Sequence, residues 1–302
     1  MKRIVVLGGT GFFGGLIAGR LRAGGLQPIV AARSAGEMQL DANNADDLRK
    51  NLKQRDLVID AAGPYQTRTP ALIETAMRVG FDVIDLSDSP EYSGMIYERE
   101  APITASGIRV LTACSGMSTV SALIVQASGI ENPSRIEVFL RPASKLTANP
   151  GAIASFLRSI EGVDREGLKV KSVDTVTLPR VFPSLKRIDF IVDTGHISGN
   201  FLLQFAWFRR QLEKRLDGAA KFARRAGNRD GVIRFQVSTL LRGRTQTFSG
   251  PQSYMLAVIP AILAATAIAA GQFTQRGLVP PTQHVDYSKL LDALHAEGIQ
   301  IG

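Results

Sequence analysis

One short segment near the start, Gly8-Gly9-Thr10-Gly11-Phe12-Phe13-Gly14, restricts this chain more than any other. It follows the β-branched run Arg3–Leu7 and leads into Phe12–Ala23, where Leu16, Ile17 and Leu21 recur at helical spacing before Gly24-Gly25. The segment satisfies G-x-G-x-x-G through Gly9, Gly11 and Gly14, and G-x-x-G-x-x-G through Gly8, Gly11 and Gly14. Glycine is needed where a backbone turns tightly and lets a pyrophosphate approach, with the N–H groups of the following helix facing the anion. A plain tight turn is the bland alternative. The position between a strand and a helix favours a dinucleotide loop at the head of a βαβ unit.

The segments that follow keep the rhythm of such units. Gln27–Ala32, Met38–Leu40, Leu57–Ala61, Asp82–Leu86 and Arg109–Thr112 read as strands. Ala45–Lys53, Pro70–Val79 and Glu91–Ala105 read as helices, the first with Asn44 as N-cap and Asp46 and Asp47 in its first turn. Near-continuously apolar strands alternating with helices predict an α/β, Rossmann-type doubly wound parallel sheet. After Ala127 the pattern changes. Arg135–Leu140, Lys169–Val176, Lys186–Ile191 and Gly231–Leu240 read as strands and Gly151–Ile160 as a helix, which predicts an α+β domain with a largely antiparallel sheet. Residues 245–275 carry no charge, and Tyr254–Ala270 is densely apolar. Its many Ala positions and Pro260 favour a buried helix over a membrane span. Tyr287–Glu297 is an amphipathic helix. The expected division is 1–125 for dinucleotide binding, 126–249 for substrate and dimerisation, and 250–302 as C-terminal helices returning to the first domain.

Among 302 residues there are one cysteine, Cys114, and three histidines far apart, which excludes an intrachain disulfide and argues against a metal site. The lone thiol fits a reducing compartment, and Met1–Gly11 has no signal-peptide pattern, so the cytoplasm is the expected location. A net charge of +9 favours anionic partners. Residues 206–230 alone carry +5. Around them Phe201, Phe205, Phe208, Leu212 and Leu216 recur at helical spacing, with Trp207 and Phe208 directly before Arg209-Arg210. Three readings stay open: a core-facing helix with a solvated basic side, a dimer contact, and, as the minority reading, peripheral membrane contact. Nucleic acid is set aside because the aromatics fall on the expected buried stripe rather than among the charges.

Cofactor choice is made at the end of the second strand, where an acid would hold the ribose 2′-hydroxyl of NAD. Here the chain reads Ala31-Ala32-Arg33-Ser34, with no acid until Glu37. A guanidinium and a hydroxyl suit a 2′-phosphate, so NADP is favoured over NAD. Asp41 either faces the adenine or caps a turn. Ala61, Ala62, Gly63 and Pro64 leave a central strand at the sheet edge where α/β folds bind ligands, and suit a nicotinamide ribose. Tyr65 and Asp85 are the weak catalytic candidates, with Tyr65, Ser87 and Cys114 as candidate substrate contacts; packing or capping competes for each. His196 follows a strand and is a minor candidate for the cleft, while His284 and His295 read as surface residues. No tyrosine is followed four residues later by lysine, which excludes the Tyr-x-x-x-Lys mechanism.

The segments GGTGFFGG, AARS, LVIDAAGPYQ, ALIETAMRVGFDVIDLSD and GLVPPTQHVDYSKLLDALHAEGIQIG resemble the saccharopine dehydrogenase-like oxidoreductases over about the first 120 and last 50 residues. The resemblance implies a Rossmann domain binding NADP or NAD, and a second α/β domain for substrate binding and dimerisation, hence a homodimer. Where many members read D-L-[ST]-G-E, this chain has Asp85-Leu86-Ser87-Asp88-Ser89, so no role for that glutamate carries over. The expected function is NADP-dependent hydride transfer to or from a carbonyl or imine of a small, amino-acid-like substrate. The alternative is an NADP-binding sensor or scaffold without turnover.

Overall fold

The computed structural model describes residues 2–195 and 197–302. The chain divides into two compact units, one of residues 1–120 and 257–290 and the other of 121–256 and 291–302.

In the first unit six strands run in chain order as β1 (Ile4–Leu7), β2 (Pro28–Ala32), β3 (Met38–Gln39), β4 (Leu57–Asp60), β5 (Asp82–Asp85) and β6 (Arg109–Leu111). Between them lie α1 (Phe12–Ala23), α2 (Ala45–Asn51), α3 (Ala71–Val79), α4 (Pro90–Tyr97) and α5 (Glu100–Ser106). All these pairings are parallel and the spatial order is β3-β2-β1-β4-β5-β6, a doubly wound parallel sheet as predicted above. β1, β4 and β5 are buried at every position because helices cover both faces.

The expected helix Glu91–Ala105 is two helices, α4 and α5. Pro102 is the reason: it has no N–H for the carbonyl of Glu98, and its ring would clash there, so the first helix ends and a second begins with Pro102 in its first turn.

The second unit contains β7 (Arg135–Arg141), β8 (Ile160–Val163), β9 (Leu168–Val170), β10 (Arg187–Val192), β11 (Gly231–Ser238) and β12 (Gly243–Gly250). Its helices are α6 (Thr119–Ala127), which begins at the unit boundary, α7 (Ser144–Thr147), α8 (Pro150–Ser159), α9 (Asp174–Val181), α10 (Ile197–Leu203), α11 (Ala206–Glu213) and α12 (Leu216–Ala226). The sheet is largely antiparallel, as expected; among the described residues only β7 and β10 pair in parallel. The strand expected over Lys169–Val176 stops at Val170. Ser172 accepts a hydrogen bond from the Asp174 N–H, and Asp174 starts α9, so the local turn wins over β propensity.

The chain then passes through α13 (Ile259–Ala269), β13 (Gly277–Leu278), α14 (Tyr287–Ala296) and β14 (Gln300–Ile301). β13 joins the first sheet beside β6. The apolar stretch is a buried helix, but it starts at Ile259 rather than Tyr254, with Pro260 in the first turn where its missing N–H costs nothing. Ala261, Ala264 and Ala265 let α13 lie close to α1, β4 and β5. The expected return of all of 250–302 to the first domain does not hold at either end: residues up to 256 and from 291 belong to the second unit, where β14 pairs with β12. Among the described residues no helix is long and apolar enough to cross a membrane.

His284, expected at the surface, is fully buried. Its Nε2–H donates to the Val279 carbonyl at 3.0 Å, leaving Nδ1 to accept from the Thr119 hydroxyl at 2.7 Å. Burial pushes its pKa down to about 4. The unfolded chain therefore takes up this proton first as pH falls. Stability should drop between pH 6.5 and about 4, by about 3 kcal/mol from this group, and lose nothing more below that. Asp85, raised to about 6, works in the opposite sense over the same range, so the test is the difference: the urea-unfolding free energy of the native protein relative to His284→Asn should fall by about 3 kcal/mol between pH 6.5 and about 4.

Candidate functional site

The ends of β1, β2, β4 and β5 lie in register, with Leu7 beside Ala31 and Asp60, and Asp60 beside Asp85. The glycine loop leaves β1 at this edge. Gly8 has φ +70°, and a Cβ there would stand 2.8 Å from both the Ala61 carbonyl oxygen and the Ala62 Cα. A Cβ on Gly14 would stand 2.2 Å from the Gly8 carbonyl oxygen. The sequence pattern thus corresponds to two close backbone approaches: the loop against the β4 end, and the first turn of α1 against the loop. Gly11 is the N-cap of α1 and supplies no side-chain hydrogen bond to the first turn of the helix. Thr10 and Gly11 are exposed, Gly9 and Gly14 are buried, and Phe12 and Phe13 are half-buried and meet edge to face at 5.2 Å.

Beyond β2, Arg33 and Ser34 are exposed. Glu37, the first acid, pairs with Arg22 at 2.7 Å and accepts from the Val30 N–H, which holds it against β2. Asp41 lies past β3 and caps a turn, accepting from the Asn43 N–H at 2.9 Å.

Asp60 and Arg68 organise the next loop, and neither was singled out from sequence. Asp60 is fully buried at the end of β4. Arg68, 8% exposed, meets it with two bonds, Nη2 to Oδ2 at 2.7 Å and Nη1 to Oδ1 at 3.2 Å. Arg68 also donates to the Ala62 carbonyl at 2.7 Å and to Asn43 Oδ1 at 3.1 Å. Asp60 accepts from the Ala62 N–H in return. The backbone of Ala61-Ala62-Gly63-Pro64 is therefore fixed from beneath, with Gly63 exposed and its bond to Pro64 cis. The signal available was an aspartate ending an otherwise apolar strand with an arginine two turns of chain later.

The candidate chemistry behind this loop is sealed off. The Tyr65 hydroxyl donates to the Asp60 carbonyl and accepts from the Leu86 N–H at 3.1 Å, so it ties β4 to β5 and has no proton to offer a substrate. Burial raises its pKa far above the usual phenol value. Tyr65 and Tyr92 pack at 5.3 Å, and the Arg68 guanidinium lies 5.7 and 5.8 Å from their rings. Asp85 is fully buried and accepts from the N–H groups of Ser87 and Ala113; burial pushes its pKa up to about 6 against those bonds. Ser87 is buried and bonded to the Ser89 backbone, and Ser89 caps α4 by accepting from the Tyr92 N–H. Cys114 is buried, and burial pushes its thiol up. His196 lies outside the described residues. Among the described residues no cluster of His, Cys, Asp and Glu can hold a metal.

Residues 4–111 match the family described as the saccharopine dehydrogenase NADP binding domain. No curated protein matches the chain. Solved structures similar to it include a UDP-N-acetylglucosamine 4-epimerase from Bacillus cereus, at 22% identity over 28% of this chain and TM-score 0.25; the match spans 39% of that protein's length. The WlbA dehydrogenase from Thermus thermophilus, in complex with NAD and UDP-GlcNAcA, is 13% identical over 96% of this chain and 94% of its own, at TM-score 0.42. An oxidoreductase from Thermotoga maritima is 12% identical over 98% and 95%, at 0.43.

Removing the Arg68 cation leaves the Asp60 carboxylate buried without its counter-charge. Arg68→Met should cost about 3–5 kcal/mol in urea unfolding, and adding Asp60→Asn should recover a measurable part.

Proposed function

We propose that this chain, whose residues 4–111 form a saccharopine dehydrogenase-like NADP-binding domain, is an NADP-dependent oxidoreductase acting on a carbonyl or imine of a small, amino-acid-like substrate. The observation that carries the reading is the close approach of the glycine loop to the β4 loop beside an uncapped helix N-terminus. Residues Gly8–Gly14 suit the pyrophosphate: a side chain at Gly8 or Gly14 would displace backbone, and the N-cap Gly11 puts no side chain over the α1 N-terminus, where an anion is favoured. Arg33 and Ser34 suit a 2′-phosphate, since the nearest acid is engaged by Arg22 and the Val30 N–H. Ala61, Ala62, Gly63 and Pro64 suit the nicotinamide ribose, held by Arg68.

A bound nicotinamide supplies hydride chemistry, and the protein's contribution is orientation and exclusion of water. Tyr65, Asp85, Ser87 and Cys114 support the floor of the site from within the first unit and do not themselves reach a substrate. That same burial favours the second reading, an NADP-binding sensor or scaffold without turnover.

Titration with both cofactors tests the proposal. NADP should bind more tightly than NAD, and Arg33→Ala should weaken NADP about 10-fold or more while leaving NAD unchanged. Equal affinities in the unaltered protein would remove the Arg33 argument. A substrate screen followed at the NADPH absorbance then distinguishes the two readings: oxidation of NADPH by any carbonyl or imine compound selects the enzyme.

A further inference from the structure

The basic segment does not form the single buried stripe its spacing predicts. It breaks into α10, α11 and α12, and its aromatic residues emerge: Phe201 is 58% exposed, Trp207 61% and Phe222 67%. α12 turns Ala220 inward, fully buried on the side where α7 and α8 pack, with Ala219 and Ala223 half-buried beside it. Its outward face is consequently the one bearing Phe222, with Arg225 three residues on and Lys221 beside it, both exposed. On α11 and its C-cap, Trp207, Arg210 and Lys214 follow one another at helical spacing, and all three are exposed. The nearby acid Glu213 is paired with Arg158 at 3.1 Å and does not neutralise that row. α11 and α12 thus each present an aromatic ring beside cations that outnumber the acids, Asp217 being the exposed acid between Lys214 and Lys221.

We propose that the outward face of α10–α12 docks on an anionic membrane surface, with Trp207 and Phe222 entering the headgroup region and the surrounding cations meeting lipid phosphates and carboxylates. Charge selects this occupant. A segment of net charge +5 repels a second copy of itself across a two-fold axis, whereas an anionic bilayer attracts it. The arrangement of the rings favours lipid over nucleic acid. Phe201 and Phe205 meet edge to face at 5.4 Å and 81°, and Trp207 and Phe208 at 5.6 Å and 75°. With Leu202 exposed beside them they form an apolar wedge rather than separate flat platforms for bases. These helices are too short to span, so the contact is interfacial.

Trp207 is the only tryptophan, so its emission reports this face alone. The full-length protein is titrated with vesicles of phosphatidylcholine, with and without phosphatidylserine, while co-sedimentation is measured in parallel. The expected result is a blue shift and co-sedimentation with phosphatidylserine vesicles only, both reversed at high salt. Arg210→Glu with Lys214→Glu should weaken binding more than about tenfold, since each basic residue near such a surface is worth about 1 kcal/mol. Phe222→Ser should also weaken it, and because all three side chains are exposed the thermal unfolding of both variants should match the parent. No blue shift and no co-sedimentation would overturn the proposal, as would binding unchanged in both variants. It is equally overturned by a blue shift that grows with protein concentration without lipid, which identifies a second copy. Binding of an oligothymidylate without vesicle binding, read by anisotropy, identifies nucleic acid and overturns it as well.

Discussion

The ion pair between Asp60 and Arg68 holds the candidate site together. A carboxylate with no exposure at the end of a central strand is costly unless matched, and Arg68 matches it through two bonds while two further donors go to Ala62 and Asn43. The loop from Ala61 to Pro64 inherits its path from that pair. The glycine loop inherits its own path in turn, because Gly8 rests against Ala61 and Ala62 with no room for a side chain. Tyr65 and Tyr92 enclose the guanidinium and keep water from the pair, which strengthens it.

The polar residues at the strand ends share one physical situation. Asp85, Ser87 and Ser89 satisfy backbone N–H groups where strands stop and α4 starts, and Cys114 fills space behind them. Their bonds are directed to the chain itself. The surface offered at this edge is instead made of backbone and small residues: Thr10, Gly11 and Gly63 are exposed there, with Arg33 beyond β2. Such a surface suits a large, flat, charged ligand that does its own chemistry, and this is the physical content of the oxidoreductase proposal.

In the second unit the balance differs. The inner faces of α11 and α12 are short and built from few apolar residues, so the helices cover their neighbours without burying their own aromatics. The result is a surface of rings and cations.

Much of the first unit was legible in the sequence because its signals are local. Strand–glycine–helix order, apolar strands of four or five residues and the Asn44 cap each act within a few residues, and the doubly wound sheet follows from their alternation. The break at Pro102 was equally local and was hidden only by the longer apolar pattern around it. Side-chain environment was not local. Whether Tyr65 offers its hydroxyl outward or to Asp60 and Leu86, whether Asp41 caps a turn, and whether His284 is buried against Thr119, 165 residues away in the chain, depend on which segments the fold brings together. The spacing of Phe201, Phe205 and Phe208 fixed which residues could share a helical face, but only tertiary packing decided that the helix breaks and that its rings face outward. The sequence by itself determined the nucleotide-binding architecture, since periodicity and glycine act through the nearby backbone. The tertiary structure alone decided which polar and aromatic groups are buried, since burial is set by neighbours remote in the chain.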